Sequence, residues 1–279
     1  MSHSPEPIRR VMAVNDISCF GKCSLTVTLP ILSRFGIEAV PLPTALLSTH
    51  TGDFTKPTRL DLTDEMEKIF SHWESFSLNF DCVYTGYMLE NQLSLAEKIV
   101  KTHSPRGAMI LVDPVMGDNG YMYSGFGSDF PKKMRALCEN ACVSTPNLTE
   151  AMLMTDTPYK PILSAEESKM LYKKLSDIGA KHFVITGVHP NDTEVGDVVI
   201  NENGCVLYEK YLPATNRRLH GCGDVFASVL CAKLVMGENI LKAVEYAQDF
   251  TGKAIEITNK DAKNHWYGLK FESLMDEIG

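Results

Sequence analysis

An aspartate beside two glycines, at the start of a long apolar run, is the part of this sequence best suited to chemistry. In HGCGDVFAS, residues 220–228, Asp224 follows Gly221 and Gly223 where a helix is predicted to begin. The first backbone N–H groups of a helix have no partner within it and can hold an anion. Asp224 could then accept a proton from a hydroxyl while the amides hold charge on a transferred phosphoryl group. The alternative is that Asp224 only caps the helix. The stretch supports both interpretations equally.

The Gly-x-Gly at 221–223 does not by itself indicate a dinucleotide-binding site. That fingerprint requires Gly or Ala at the next spaced position, where Phe226 stands, and it normally lies in the first βαβ unit. The segment FGKCS, residues 20–24, lacks the glycine spacing of a Walker loop and a hydroxyl residue directly after the lysine. A nicotinamide-dependent dehydrogenase is therefore a disfavoured alternative.

Acidic and amide side chains form a second constellation. Asp113 and Asp118 lie at the end of an apolar run and in the loop after it, and Asn147 and Glu150 lie where the next helix begins. Residues three apart share one face of a helix. Such oxygens suit Mg²⁺, which prefers oxygen ligands and keeps several waters. A helix cap formed by Asn147 with Glu150 explains the same spacing, and both interpretations can hold.

The elements that must position these residues are alternating apolar runs and amphipathic segments. Strands buried on both faces of a parallel sheet are expected at RRVMAV, IEAVPL, DCVYTGY, AMILVDPV, ACVSTPN and KHFVITGV. Helices are expected at 64–77, at 164–178 and in KCSLTVTLPILSRFG, where Pro30 would kink the helix and Gly36 would end it. Residues 194–212 predict an antiparallel hairpin with its turn at Asn203-Gly204. Three helices should follow, at 223–236, 239–257 and 267–278.

This alternation predicts a three-layer α/β/α sandwich with a mostly parallel central sheet. We expect one domain over residues 1–279, with 1–9 as a loose tail. Ligands of such sheets bind outside the carboxyl ends of the strands. The polar residues expected there are Asn15-Asp16, Thr85-Gly86-Tyr87, Asp113, Thr145-Pro146-Asn147 and Thr186-Gly187.

Composition narrows the class of function. The chain has 279 residues, of which 44% are hydrophobic and 22% charged, as is ordinary for a globular protein. Its formal net charge of −8 argues against nucleic-acid and membrane partners. No apolar run approaches the roughly 18–20 residues that span a bilayer, and MSHSPEPIRRV has no signal core. The 8 cysteines form no CxxC pair, so we expect reduced thiols, a cytoplasmic location and no zinc site.

Taken together, the motifs resemble the pyridoxal (vitamin B6) kinases of the ribokinase-like superfamily. The resemblance rests on GCGD at 221–224, DPVMGD at 113–118, TPNLTE at 145–150, TG at 186–187, STHTG at 48–52 and TGY at 85–87. The motifs occur along the chain in the same order as in those kinases, and they cover nearly its whole length. The resemblance implies transfer of the γ-phosphoryl group of ATP, with Mg²⁺, to the 5′-hydroxymethyl of pyridoxal, pyridoxine or pyridoxamine. It also implies a homodimer, and several relatives use K⁺.

The same resemblance assigns roles to individual residues. Asp224 would be the base, and the amides of Gly221, Cys222 and Gly223 would form the anion hole. The set assigned to Mg²⁺ and the ATP phosphates, partly through water, is Asp113, Asp118, Asn147 and Glu150. Thr145, Thr186 and Gly187 would also lie near the phosphates. The ring of the substrate would meet Asp16, Leu47, Thr51 and Tyr87. Loop 118–127 would close over the phosphates.

The sequence departs from the family pattern at three positions. Cys222 stands where Thr or Ser is usual, Leu47 where these kinases often carry an aromatic, and Asp16 where a Ser commonly meets the ring. Asp16 could pair with a protonated pyridine nitrogen, which would change ring selectivity. A hydroxymethylpyrimidine kinase of the same superfamily is therefore the close alternative, and a catalytically silent sensor the distant one. The Cys222 thiol, with its pKa lowered by the helix terminus, could add reversibly to an aldehyde.

Overall fold

The computed structural model describes residues 7–215, 217, 219–261 and 263–278. Its strands are β1 (Arg10–Phe20), β2 (Glu38–Thr49), β3 (Arg59–Asp61), β4 (Cys82–Thr85), β5 (Met109–Val112), β6 (Gly117–Asp118), β7 (Tyr121–Met122), β8 (Val143–Ser144), β9 (His182–Asn191), β10 (Glu194–Asn201) and β11 (Val206–Pro213). Its helices are α1 (Leu25–Arg34), α2 (Thr63–Ser75), α3 (Leu93–His103), α4 (Phe130–Cys138), α5 (Leu148–Met154), α6 (Ala165–Ser176), α7 (Cys222–Val235) and α8 (Ile240–Lys260). Short 3-10 helices lie at Glu90–Gln92, Ser104–Arg106 and Glu272–Glu277.

A nine-stranded sheet organises the molecule, in the order β11-β10-β9-β8-β5-β4-β1-β2-β3. The neighbouring strands β2, β1, β4, β5, β8 and β9 pair in parallel. The pairs β2–β3, β9–β10 and β10–β11, at the two edges of the sheet, are antiparallel. Successive residues of a strand face opposite sides of the sheet. In β5, for example, Ile110 and Val112 pack into one apolar core, and Leu111 packs into the other.

Each core is closed by its own layer of helices. One contains buried side chains of α2, α3, α4, α5 and α6, and the other those of α1, α7 and α8. Helix α7 is apolar almost all round, with Val225 to Ala232 all buried, and it packs between α1 and α8. The predicted three-layer sandwich with a mostly parallel sheet is therefore confirmed.

Most predicted elements appear close to their expected positions. The helix before Gly36 ends there because Gly36 has φ +75°, the left-handed conformation that stops helices. The hairpin forms as β10 and β11, and Asn203 and Gly204 lie in its turn. The predicted tail, 1–9, falls mostly outside the described residues, and only 7–9 are seen, without regular structure. Within the described ranges, no helix is both long and apolar enough to cross a membrane.

The predicted helix over 267–278 is wrong. Only a 3-10 helix, Glu272–Glu277, forms there. Residues 267–271 instead pack as irregular chain against the β1–α1 loop. A Cβ on Gly268 would lie 2.6 Å from the carbonyl oxygen of Gly21, so this close approach requires glycine. The burial of Leu269 and Phe271 fixes the segment in this non-helical path.

The strand order places a crevice at one end of the sheet. β1 pairs with β2 on one side and with β4 on the other, so the chain order reverses at β1. Ligands of open α/β sheets bind outside the carboxyl ends of the strands at such a point. Thr85 ends β4 and Asp113 directly follows β5, so the fold brings these two residues to one edge. Asn15 was expected at the end of the first strand, but β1 continues to Phe20, and Asn15 lies within it at an irregularity of the β1–β2 register.

Candidate active site

A cleft of about 1130 Å³ runs along this edge of the sheet. It is lined by every residue that the sequence analysis singled out as catalytic, binding or metal-ligating. These are Asp16, Leu47, Thr51, Tyr87, Asp113, Asp118, Thr145, Asn147, Glu150, Thr186, Gly187, Gly221, Cys222, Gly223 and Asp224. Side chains that are far apart in the sequence are thus brought to one surface.

The turn at 221–224 forms the N-terminus of α7. Gly221 is the N-cap, with φ +81°, and a Cβ there would lie 2.4 Å from the carbonyl oxygen of Lys22. The backbone bonding of the helix begins with Val225, whose N–H donates to the Gly221 oxygen at 3.0 Å. The amides of Cys222, Gly223 and Asp224 therefore precede the helical hydrogen bonds. That arrangement is suited to binding an anion.

Asp224 lies inside the first turn of α7, and the cap is Gly221, so the interpretation of Asp224 as a simple N-cap is wrong. The carboxylate is instead oriented by the β1–α1 side of the cleft. The backbone of Ser24 and the side chains of Asn15 and Cys23 interact favourably with its ionised form. Burial outweighs these contacts, and together with nearby Asp16 it raises the pKa of Asp224 to about 7. A carboxyl group with that pKa can exchange a proton near neutral pH.

Asp113 and Glu150 extend the negative charge along the cleft floor. Burial, followed by the charges of Glu150 and Asp224, raises the pKa of Asp113 well above its usual range, and the Thr145 hydroxyl opposes this rise. Burial also raises the pKa of Glu150, against the backbone amides that bind it. Carboxylates that repel each other in a buried site are stabilised by a bound cation. The donor set therefore fits a hard divalent ion such as Mg²⁺.

Asn147 and Glu150 form the helix cap that was the alternative explanation of their spacing. Asn147 Oδ1 accepts from the Glu150 amide at 2.9 Å, and Glu150 Oε2 accepts from the Asn147 amide at 2.9 Å. Glu150 Oε1 also accepts from the Met116 amide at 2.9 Å. Over the described part of the chain, no three His, Cys, Asp or Glu side chains are arranged as a ready metal cage. An ion here would need water and ligand oxygens to complete its coordination, as Mg²⁺ commonly does.

The end of the cleft beside β1 and β2 is partly apolar. Asp16 is buried there and accepts hydrogen bonds from the hydroxyls of Ser18, at 2.8 Å, and Ser24. Burial is the largest influence on Asp16 and raises its pKa. Leu47 is buried on β2, and the ring of Tyr87 lies 5.9 Å from that of Phe126 in loop 118–127. This end therefore offers an aromatic wall, an aliphatic wall and one buried acid.

Two histidines beside this end were missed by the sequence analysis. His220 Nε2 lies 2.7 Å from Asp53 Oδ2. The ring of His50 lies 4.7 Å from that of His220, and its Nε2 donates to the Tyr267 carbonyl oxygen at 2.7 Å. The contacts join the loop after β2 to the turn before α7. In the sequence, His50 lies within the motif STHTG and His220 directly precedes GCGD, but no role was assigned to either from these positions.

The far end of the cleft was also not predicted. Beyond Asp224 it continues between the β10–β11 hairpin and α8, where Val195, Leu212 and Ile255 supply apolar surface. Asp197 and Asn259 line the same region. Apolar residues in a strand or helix carry no marker of ligand contact, so only the fold could show this half.

The premise that the helix terminus lowers the thiol pKa of Cys222 is wrong. Burial, followed by the negative charges of Asp224 and Asp118, raises it to about 12. Sequence analysis also missed a second cleft thiol, Cys23, whose pKa burial and nearby Asp224 raise well above its usual range. Both thiols are therefore protonated at neutral pH, which disfavours their addition to an aldehyde.

We expect Cys222 and Cys23 to resist alkylation. With iodoacetamide at neutral pH, the exposed Cys19 and Cys205 should be labelled at least about tenfold faster, because only thiolates react rapidly. Peptide mass spectrometry over a time course measures this order. Preferential labelling of Cys222 would contradict the raised pKa and restore the aldehyde hypothesis.

The sheet order, the two helical layers and the glycine turn at the N-terminus of α7 define a ribokinase-like α/β protein. The chain belongs to the phosphomethylpyrimidine kinase family, whose model matches residues 32–269. The resemblance to the superfamily that includes the pyridoxal kinases is thereby confirmed.

Individual relatives place the chain near two named activities. It is 31% identical over 181 residues to a hydroxymethylpyrimidine/phosphomethylpyrimidine kinase of Staphylococcus aureus, a match that covers 60% of this chain and 62% of that protein. A Bacteroides thetaiotaomicron protein described as a candidate phosphomethylpyrimidine kinase, solved with pyridoxal, is 35% identical with a TM-score of 0.91, covering 97% and 96% of the two chains. Pyridoxal kinase of Lactobacillus plantarum is 29% identical with a TM-score of 0.87, covering 98% and 97%.

Proposed function

We propose that this protein is an ATP-dependent kinase that phosphorylates the 5′-hydroxymethyl group of pyridoxal, pyridoxine or pyridoxamine. The observation that carries the proposal is the position of Asp224. It lies beside the first amides of α7, between the end of the cleft beside β1 and β2 and the end that extends along α8. A base at that junction can reach a hydroxyl from one side while a phosphoryl group is held at the other.

In the proposed reaction, the Asp224 carboxylate accepts the proton of the substrate hydroxymethyl group. The oxygen of that group forms a bond to the γ-phosphorus as the bond from phosphorus to the β,γ-bridging oxygen breaks, and ADP leaves. The amides at 222–224 stabilise charge on the transferred group. The raised pKa of Asp224, about 7, makes it a stronger base than an exposed aspartate.

Magnesium fits the acidic floor of the cleft. Asp113, Asp118, Asn147 and Glu150 would hold Mg²⁺ partly through water, with Thr145 beside them. When bound, the ion supplies positive charge that offsets the phosphate oxygens and the facing carboxylates. The residues themselves contribute orientation, because Glu150 is fixed by backbone amides from two segments.

The end of the cleft beside β1 and β2 supports a B6 vitamer as acceptor. A buried acid such as Asp16 can bind a protonated ring nitrogen or a ring hydroxyl, and Leu47 and Tyr87 provide apolar faces for a heteroaromatic ring. The Bacteroides thetaiotaomicron relative was solved with pyridoxal, which agrees with this assignment. The names of the family and of the Staphylococcus aureus relative favour hydroxymethylpyrimidine instead. That compound is the second candidate acceptor.

A side-by-side assay tests the proposal. ATP-dependent phosphorylation of pyridoxal, pyridoxine, pyridoxamine and hydroxymethylpyrimidine is measured with one enzyme preparation and Mg²⁺. We expect kcat/KM for the best B6 vitamer to exceed that for hydroxymethylpyrimidine by about tenfold or more, because the acid and apolar walls suit a hydroxypyridine. The reverse ranking would assign the second candidate, and no product from any acceptor would refute the kinase. The homodimer, the K⁺ dependence and the cytoplasmic location stay predictions.

A further inference from the structure

Asp197 is a buried carboxylate that the proposed reaction does not use. It lies on β10, only 8% exposed, and it lines the half of the cleft between the β10–β11 hairpin and α8. A carboxylate is costly to bury unless polar groups compensate it. The groups around the Asp197 carboxylate therefore indicate its role.

The strand register places Asp197 opposite an irregularity in β9. Gly196 pairs with Val188 and Val198 pairs with Ile185, so the single residue Asp197 faces the two residues at 186–187. Two residues opposite one form a β-bulge, which bends the strand and redirects its side chains. Gly187 has φ +67°, a conformation that glycine adopts without strain.

Burial raises the pKa of Asp197 to about 7, and the backbone of Gly187 and the side chain of Gln248 on α8 oppose this rise by favouring the ionised form. Gln248 is itself fixed to the hairpin. Its Nε2 donates to the Lys210 carbonyl oxygen at 2.9 Å, and its Oε1 accepts from the Tyr208 hydroxyl at 3.1 Å. Asp197 therefore lies between the bulge in β9 and the contacts that Gln248 makes between the hairpin and α8.

The bulge is connected to the segment that carries Asn147 and Glu150. The amide of Thr186 donates to the Pro146 carbonyl oxygen at 2.9 Å, and Thr186 forms a parallel bridge with Asn147. We propose that Asp197 is a positioning residue that holds Thr186 and Gly187 in place for the phosphates of the nucleotide. This inference rests on the proposed function, and it concerns the nucleotide alone.

Two substitutions test the inference, Asp197→Ala and Asp197→Asn. The alanine variant should raise KM for ATP, and Kd for ADP measured by calorimetry, about tenfold, because the bulge at 186–187 loses the carboxylate that lies opposite it. KM for pyridoxal should stay within about twofold of the wild-type value. The asparagine variant keeps an acceptor oxygen and should recover most of the ADP affinity. Glu202→Ala, in the exposed turn of the same hairpin, is the matched control and should change none of these values.

The outcomes separate this inference from the proposed function. If Asp197→Ala weakens ADP binding and Glu202→Ala does not, the inference stands even if no B6 vitamer is phosphorylated. If Kd for ADP is unchanged in a folded variant, or if both KM values rise equally, Asp197 has no positioning role for the nucleotide. Should the alanine variant not fold, Asp197→Val replaces it, because a β-branched side chain suits a strand. A folded Asp197→Val variant with unchanged Kd for ADP would overturn the inference.

Discussion

Asp224→Asn should lower kcat by about 10²–10⁴-fold, the usual contribution of a general base. Asparagine has the shape of aspartate but cannot accept the proton of the substrate hydroxyl. Binding of ATP should persist, and it should tighten if it changes at all, because a negative charge beside the anion-binding amides is removed. Steady-state kinetics and calorimetry with ADP measure the two effects. A variant with wild-type turnover would show that Asp224 is not the base.

The same variant should be more stable than the wild type, which separates a base from a structural carboxylate. Burial raises the pKa of Asp224 to about 7 in the folded state. In the unfolded chain it should be near the ordinary value of about 3.9. The folded state thus binds the proton more tightly, so this group's contribution to stability falls as pH rises from about 4 to about 7. Asp224→Asn should raise Tm by a few degrees at pH values above this range and by less below it.

A structural carboxylate would behave in the opposite way. Loss of a stabilising cap typically costs about 0.5–2 kcal/mol and would lower Tm. The pH profile gives a third, independent measurement. In the wild type, kcat/KM for the acceptor should fall about tenfold per unit below the pKa of Asp224, because only its ionised form accepts a proton. A flat profile through pH 7 would contradict the assignment of Asp224 as the base.

The central layers of the fold could be predicted because their signals are local. Runs such as AMILVDPV and KHFVITGV are short and apolar throughout, and the capping pair Ser164 and Glu167 marks the start of α6. The edge strand β3 has three exposed residues, so it carries no apolar pattern. The error at 267–278 has a different cause. A helical pattern was overridden by the tertiary packing of Gly268 against the β1–α1 loop, which no local signal reveals.

For the candidate site, too, some features could be predicted from the sequence and others could not. The residues gathered around Asp224 were found because strand ends collect at one edge of a parallel sheet. What the sequence could not show is how their charges act on each other. Asp16 raises the pKa of Asp224, and Asp224 raises that of Asp113, only because three distant segments meet. The pKa of Cys222 was predicted to shift in the wrong direction because burial, the largest cause of its rise, and the charge of Asp118 both arise only when the chain folds, whereas the charge of Asp224 was already visible in the sequence.

Gly221→Ala should remove most activity and also destabilise the protein. Gly221 has φ +81°, and the added Cβ would lie 2.4 Å from the Lys22 carbonyl oxygen, which is backbone and cannot move aside cheaply. The strain should cost about 1–3 kcal/mol. Displacement of the amides that follow should lower kcat by about 10²–10³-fold, as loss of an anion-hole donor does. Kinetics and thermal unfolding on the same preparation measure both losses.

Gly223→Ala is the matched comparison, because it adds the same methyl group two residues further along the same turn. Apart from the adjoining residues and the backbone of the helix itself, no atom lies within 4 Å of the added Cβ, and the residue is inside α7. Alanine is favoured over glycine in a helix by about 1 kcal/mol, so Tm should rise. Activity should nevertheless fall, because the methyl group enters the space above the amides where the phosphoryl group would lie. If Tm falls in Gly221→Ala and rises in Gly223→Ala while both variants lose turnover, the transferred group lies at this turn. Full activity of Gly223→Ala would show that the group binds elsewhere in the cleft.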